Sequence, residues 1–169
     1  ALRASGIDVH VGVEREAAIR LNQPYLTSLR DGRPFVILKA ATSIDGRIGL
    51  PGRRTRITSA PALRHAQYVR ASVDAIGIGS ETLLVDDPLL TARDVFRGRP
   101  LTRVVFDRRL RTPPTAALFS TLRTGPVIIL TVAAAGARDR DRVAALERAG
   151  ATVIAPQETG IAAALPELP

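Results

Sequence analysis

The stretch VDAIGIGSETLLVDDP, residues 73–88, decides the fold class of this chain. Its first part, residues 75–78, is a short apolar run of the kind that forms a strand buried on both faces. A Gly79-Ser80 turn ends that strand, and residues 81–85 predict a short helix that stops at Asp86-Asp87-Pro88. A strand that turns directly into a helix predicts an α/β arrangement.

The same alternation continues on both sides of this stretch. Upstream, residues 35–41 (FVILKAA) form a continuous apolar run that predicts another doubly buried strand. Thr58 or Ser59 is a good N-cap for a helix that reaches about Arg70. Downstream, we expect strands over residues 103–106, 126–132 and 152–155, and an amphipathic helix over residues 137–149. The chain therefore predicts an α/β domain with a mostly parallel sheet flanked by helices.

The N-terminal segment follows a different pattern. Residues 7–13 alternate apolar and polar side chains, which predicts a half-buried strand. Residues 14–29 carry apolar side chains near helical spacing, and Pro24 interrupts them. We expect either a kinked helix or two shorter ones there.

Composition excludes several classes of function. The chain of 169 residues has no cysteine and two histidines, so we expect neither disulfides nor a metal site. Its apolar runs are too short to cross a membrane, and no secretory signal pattern opens it, so we expect a cytoplasmic protein with no membrane partner. The net charge of +8 favours anionic partners. Because aromatic and basic residues are not interleaved, small phosphorylated ligands are expected rather than nucleic acid.

Polar groups at the predicted strand ends are the candidate site residues. Lys39, the one lysine among 24 basic residues, lies inside an apolar run, where an ammonium group is costly without a partner or a function. An edge position with its amine in water is the alternative. Gly79 and Ser80 open a helix, which places free N–H groups for a phosphate. Asp86 is equally compatible with a functional role and a turn, whereas for Asp87 a turn is favoured.

Four motifs in order connect these residues with a known family. They are RPFVILKAATSIDGRI (33–48), RTRITS (54–59), VRASVDAIGIGSETLLVDDPLLTAR (69–93) and RVVFDRRLRTP (103–113). In this order they strongly resemble the reductase domain of the bifunctional riboflavin-biosynthesis deaminase/reductase. The opening, residues 4–26, resembles the tail of the preceding deaminase domain. The resemblance therefore implies a deaminase tail and connecting segment over residues 1–32 and a reductase domain over residues 33–169.

The resemblance also implies a chemistry and its residues. It implies a dihydrofolate-reductase-like fold, a homodimer, NADPH as hydride donor, and 5-amino-6-(5-phosphoribosylamino)uracil as the substrate that is reduced to its ribitylamino form. Lys39 and Asp86 are the implied candidates for proton transfer. The implied cofactor contacts are Ala41, Arg56, Gly79, Thr82, Asp86, Asp107 and Arg108. The implied substrate contacts are Thr55, Arg70, Leu90 and Arg93.

Other interpretations stay open at this point. A related NADPH reductase of a pteridine or folate-like compound would have the same fold. The chain ends before the Glu-Gly-Gly type of motif that the family carries in a later strand, so we expect a C-terminally incomplete domain. A catalytically inactive fragment is therefore a further alternative.

Overall fold

The computed structural model describes residues 1–156, and the weakly patterned tail over residues 157–169 lies outside the described part. The chain divides into two compact units, one formed by Ala1–Leu38 and the other beginning at Lys39. The predicted domain division between residues 32 and 33 stays a prediction. Within residues 1–156, no helix combines the length and apolarity that crossing a bilayer demands.

The first unit contains two α-helices, α1 (Arg15–Leu21) and α2 (Gln23–Asp31), after a short 3₁₀ helix. The break falls at Asn22, and proline occupies the first turn of α2, where its missing N–H costs no hydrogen bond. The expectation of two shorter helices is confirmed. The strand predicted over residues 7–13 is wrong, since these residues form no strand. An alternating pattern becomes a strand only when a neighbour takes its hydrogen bonds, and none pairs with this segment among the described residues.

The second unit is built on a four-stranded sheet in which every pair of neighbours is parallel. Its strands lie side by side in the order of the chain. Their parallel pairing is what the alternation of strands and helices predicts. The first elements in chain order are α3 (Ala60–Ser72), β1 (Ala75–Gly79), α4 (Ser80–Asp86) and β2 (Thr102–Phe106). After a 3₁₀ segment over Ala117–Thr124 come β3 (Val127–Leu130), α5 (Ala133–Arg138), α6 (Arg140–Arg148) and β4 (Ala151–Ile154).

The core of this unit lies between the sheet and the helices α4 and α6. Leu83 of α4 and Leu146 of α6 are both almost fully buried against Val105 of β2 and Ile129 of β3. Burial of such side chains is the main favourable term in folding, at about 1.5–3 kcal/mol each. The apolar runs over β2 and β3 are buried as predicted. The burial predicted for both faces of β1 is wrong, because this strand lies at one end of the strand order and none of its residues is buried.

One predicted strand is absent from the sheet. Residues 35–41 form no strand, and Val36, Ile37 and Leu38 are 59%, 55% and 91% exposed. A strand that is buried on both faces needs neighbours to take its hydrogen bonds and layers to cover it, and among residues 1–156 this run pairs with no strand.

The single helix predicted over residues 137–149 is also corrected, because the chain forms α5 and α6 instead. The side chain of Asp139 accepts a hydrogen bond from the backbone N–H of Arg142 at 3.1 Å and so caps a new helix.

Candidate active site

The carboxyl ends of the parallel strands meet at one edge of the sheet, where ligands bind in open α/β sheets. Gly79 ends β1, and Asp107 and Arg108 directly follow β2, so these three predicted cofactor residues lie at the same edge. Arg111, in the loop after β2, donates to Glu81 Oε2 at 2.9 Å and to Ser80 Oγ at 3.0 Å. These two hydrogen bonds attach the loop to the first turn of α4.

Asp107 organises this loop from inside the protein. Its side chain is fully buried, and Oδ2 accepts from the backbone N–H and the hydroxyl of Thr112 at 2.6 and 2.7 Å. The carboxylate therefore stabilises the turn of the loop through its hydrogen bonds with Thr112. A direct cofactor contact of Asp107 stays a prediction. Arg108, the next residue, is exposed.

Gly79 leaves open space beside its backbone. A Cβ atom built on Gly79 would meet no atom within 4 Å, and Thr82, near the start of α4, is exposed. Asp86, at the end of the same helix, is half-buried. Asp87 ends α4 in a left-handed conformation with φ of 40°, so the predicted turn is present. Its side chain instead accepts a hydrogen bond at 2.8 Å from the backbone N–H of Ala117, in a later segment of the chain.

Arg70 and Arg93, two of the predicted substrate residues, are brought together at the end of α3. Arg70 Nη1 donates to the carbonyl oxygen of Thr91 at 2.7 Å, and the backbone N–H of Arg93 donates to Gln67 Oε1 at 3.0 Å. Burial lowers the pKa of Arg70, and the positive charge of Arg93 lowers that pKa further. Leu90, a third predicted substrate residue, is buried in a left-handed conformation with φ of 55°.

The remaining predicted residues lie in an exposed segment. Lys39 is exposed, so the burial from which its function was inferred is wrong, because the run that contains it is unpaired. Thr55 Oγ1 accepts from the backbone N–H of Leu50 at 3.0 Å, and Arg56 is exposed. Among residues 1–156, no hydrogen bond or ion pair joins Lys39, Ala41, Thr55 or Arg56 to the sheet edge. Their roles stay predictions.

Sequence reasoning missed Arg103, the largest fully buried side chain among the described residues. Its guanidinium donates to the carbonyl oxygen of Leu118 at 2.8 Å, to Thr121 Oγ1 at 2.7 Å and to the carbonyl oxygen of Gly125. Burial lowers the pKa of this group. The available signal was a cation within the apolar run TRVVF, the same signal that singled out Lys39.

Comparison with known sequences places these features in a family. Residues 34–168 match the family described as RibD C-terminal domain. The riboflavin biosynthesis protein RibD of Bacillus amyloliquefaciens is 38% identical over 146 residues, which are 86% of this chain and 39% of that protein. RibD of Escherichia coli strain K12 is 36% identical over 127 residues, or 75% of this chain and 35% of that protein. The chain thus spans little more than a third of the relatives that it matches.

Solved structures agree with the sequence match. Acinetobacter baumannii RibD superposes with a TM-score of 0.75 at 29% identity, covering 98% of this chain and 44% of that one. A diaminohydroxyphosphoribosylaminopyrimidine deaminase/5-amino-6-(5-phosphoribosylamino)uracil reductase from Thermotoga maritima has a TM-score of 0.66 at 32% identity. That alignment covers 76% of this chain and 36% of the Thermotoga chain. The predicted dihydrofolate-reductase-like α/β fold is confirmed.

Proposed function

Because this chain belongs to the RibD C-terminal domain family, we propose that it is an NADPH-dependent reductase of riboflavin biosynthesis. Its proposed substrate is 5-amino-6-(5-phosphoribosylamino)uracil, the compound after which the reductase activity of the Thermotoga maritima relative is named. A homodimer, which the resemblance to the family implies, and a cytoplasmic location, which the sequence pattern predicts, belong to the same proposal.

The close placement of Arg70 and Arg93 is the observation that carries this proposal. The two guanidinium groups carry like charges and repel each other, which is unfavourable when no ligand is bound. Within residues 1–156, neither group forms an ion pair with a carboxylate. A phosphate group would offset this cost, since arginine binds phosphate oxygens through two parallel hydrogen bonds. A sugar phosphate therefore fits this end of α3 better than an uncharged pteridine.

The residues at the sheet edge fit a dinucleotide cofactor. The open space beside Gly79 lets a ligand approach the backbone, and the exposed Arg108 supplies a cation next to it at the end of β2. Thr82 adds an exposed hydroxyl-bearing side chain on α4. We assign Gly79, Thr82 and Arg108 to the binding of NADPH, and Arg108 to its anionic part.

The proposed chemistry requires few groups from the protein. Opening of the substrate ribose gives an imine, and NADPH, when bound, supplies the hydride that reduces it. The arginine pair would fix the phosphate end of the substrate and so limit the positions that its imine can take. Asp86, half-buried on α4, and Lys39 are the two candidates for proton transfer at the sugar.

Titration with NADPH and NADH, followed by nicotinamide fluorescence with and without ribose 5-phosphate, tests the proposal. We expect micromolar binding of NADPH, strengthened by the sugar phosphate. In Arg70→Ala, NADPH should still bind, but ribose 5-phosphate should no longer strengthen its binding. Arg64→Ala, which removes an exposed cation from the same helix, is the matched control and should behave like the parent chain. Failure of the parent chain to bind either ligand would refute the proposal.

A further inference from the structure

Arg97 closes the C-terminal end of α3 with its guanidinium group. Nη1 donates to the carbonyl oxygens of Ala71 at 2.7 Å and Val73 at 2.6 Å, and lies 3.4 Å from that of Arg70. Nη2 donates to the carbonyl oxygen of Pro100 at 3.0 Å. The last carbonyl groups of a helix lack partners within it and carry partial negative charge, so a cation is well placed there.

This contact is one of three that attach the segment after α4 to α3. The backbone N–H of Arg93 donates to Gln67, and Arg70 donates to the carbonyl oxygen of Thr91. Each of the three joins a side chain of one segment to the backbone of the other. Arg93 therefore lies between two attachment points, Thr91 on one side and Arg97 on the other.

The attachment works against electrostatic repulsion. Arg70 and Arg93 carry like charges, and the charge of Arg93 lowers the pKa of Arg70. Without a link between the two segments, repulsion and chain entropy would both favour separation of the pair. Arg97 supplies one of the three links, and because it binds carbonyl oxygens, it brings no carboxylate that would compete for the guanidinium groups of Arg70 and Arg93.

We propose that Arg97 is a positioning residue that holds the segment carrying Arg93 against α3, so that Arg70 and Arg93 can act on one anion. The identity of that anion as a sugar phosphate rests on the proposed function. Arg97 itself acts through the backbone of α3 and does not contact the ligand. An arginine suits this role because its planar fork reaches several carbonyl oxygens at once, whereas a lysine presents a single ammonium group.

Amide hydrogen exchange tests the proposal without any ligand. In Arg97→Ala we expect the protection of the Arg93 amide to fall about tenfold or more, because opening of the segment exposes it. The protection of core amides such as Val105 and Ile129 should be unchanged. Arg99→Ala is the matched control. Arg99 lies two residues after Arg97, carries the same charge and forms an exposed ion pair with Asp74. Unchanged protection of the Arg93 amide in Arg97→Ala would overturn the proposal.

Calorimetric binding of ribose 5-phosphate gives the second measurement. Arg97→Ala should weaken binding about tenfold, Arg97→Lys should recover part of the loss, and Arg99→Ala should change it less than about threefold. Equal losses in Arg97→Ala and Arg99→Ala would indicate a general charge effect and count against positioning. If the parent chain binds no ribose 5-phosphate, the proposed function fails, while the exchange measurement still decides the role of Arg97.

Discussion

Thr112 donates both its backbone N–H and its hydroxyl to a single carboxylate oxygen of Asp107. The two residues are both completely buried and lie five positions apart, so they close a tight turn at the end of β2. This turn directs the chain back toward α4, where Arg111 meets Ser80 and Glu81. The position of the candidate cofactor edge thus depends on a buried turn beneath it.

Thr112→Val tests that dependence because valine keeps the shape of threonine and removes its hydroxyl. We expect a loss of about 1–3 kcal/mol in the free energy of unfolding, since a buried carboxylate loses a donor. Urea unfolding measures it. The control is Thr115→Val, at an exposed position of the same loop, which should stay within about 0.5 kcal/mol of the parent. Equal values for the two variants would show that the Thr112 hydroxyl contributes no stability.

Arg103→Met should be more damaging. Methionine has a similar length, but it removes the guanidinium that donates to the carbonyl oxygens of Leu118 and Gly125. The Leu118 oxygen keeps the hydroxyl of Thr121 as a donor, whereas the buried Gly125 oxygen loses the donor that Arg103 supplies. We expect a loss of about 2–4 kcal/mol, because each unsatisfied buried acceptor costs about 1–3 kcal/mol. Thermal or urea unfolding of Arg103→Met beside Arg123→Met, an exposed position, provides the comparison. If Arg103→Met lowered the free energy of unfolding by less than Arg123→Met does, the buried hydrogen bonds of Arg103 would not stabilise the fold.

Gly77→Ala should destabilise the sheet through one neighbour. A Cβ atom on Gly77 would lie 2.7 Å from Cε2 of Phe106, on the strand beside it. Such overpacking costs about 1–3 kcal/mol. In a Phe106→Leu background the ring is absent, so the same substitution should cost less. A double-mutant cycle measured by urea unfolding gives the coupling, and additive effects would show that Phe106 is not the obstacle.

Gly79→Ala should separate binding from stability. Gly79 has φ of −75° and ψ of 154°, which alanine adopts freely, and its Cβ would enter open space. The free energy of unfolding should therefore change by less than about 1 kcal/mol. NADPH binding should weaken about tenfold if the cofactor approaches this backbone. Gly98→Ala, where the Cβ would make only ordinary contacts with Phe96, is the control, and unchanged NADPH binding in Gly79→Ala would remove Gly79 from the site.

Arg108→Ala should reveal how the cofactor is selected. If Arg108 binds the phosphate that distinguishes NADPH from NADH, its loss should weaken NADPH binding about tenfold or more and leave NADH unaffected. Fluorescence titration with both cofactors measures the ratio. Arg148→Ala, an exposed cation on α6, controls for net charge. If Arg108→Ala weakened the binding of NADPH and NADH equally, Arg108 would instead contact a group that both cofactors contain.

Sequence patterns predicted the sheet well where the signal was local. The strand of residues 75–78, the start of α3 after Ser59 and the end of α4 at Asp87 each depend on residues close in the chain, and each is confirmed. The Ser59 side chain, however, makes no capping hydrogen bond. Burial of a charged side chain depends on distant partners instead. Lys39 and Arg103 both interrupt apolar runs, yet Lys39 is exposed and Arg103 is fully buried among carbonyl groups of another loop. The Gln67 and Arg97 contacts join segments more than 20 residues apart, so no sequence window contains them.

The exposed run of residues 36–38 also affects how the protein behaves in concentrated solution. Consecutive exposed β-branched and leucine side chains favour association with unpaired strands of other molecules. Lys39 follows this run immediately, and a charge in that position acts as a gatekeeper against stacking. We therefore expect the single lysine to reduce association between molecules in concentrated solution.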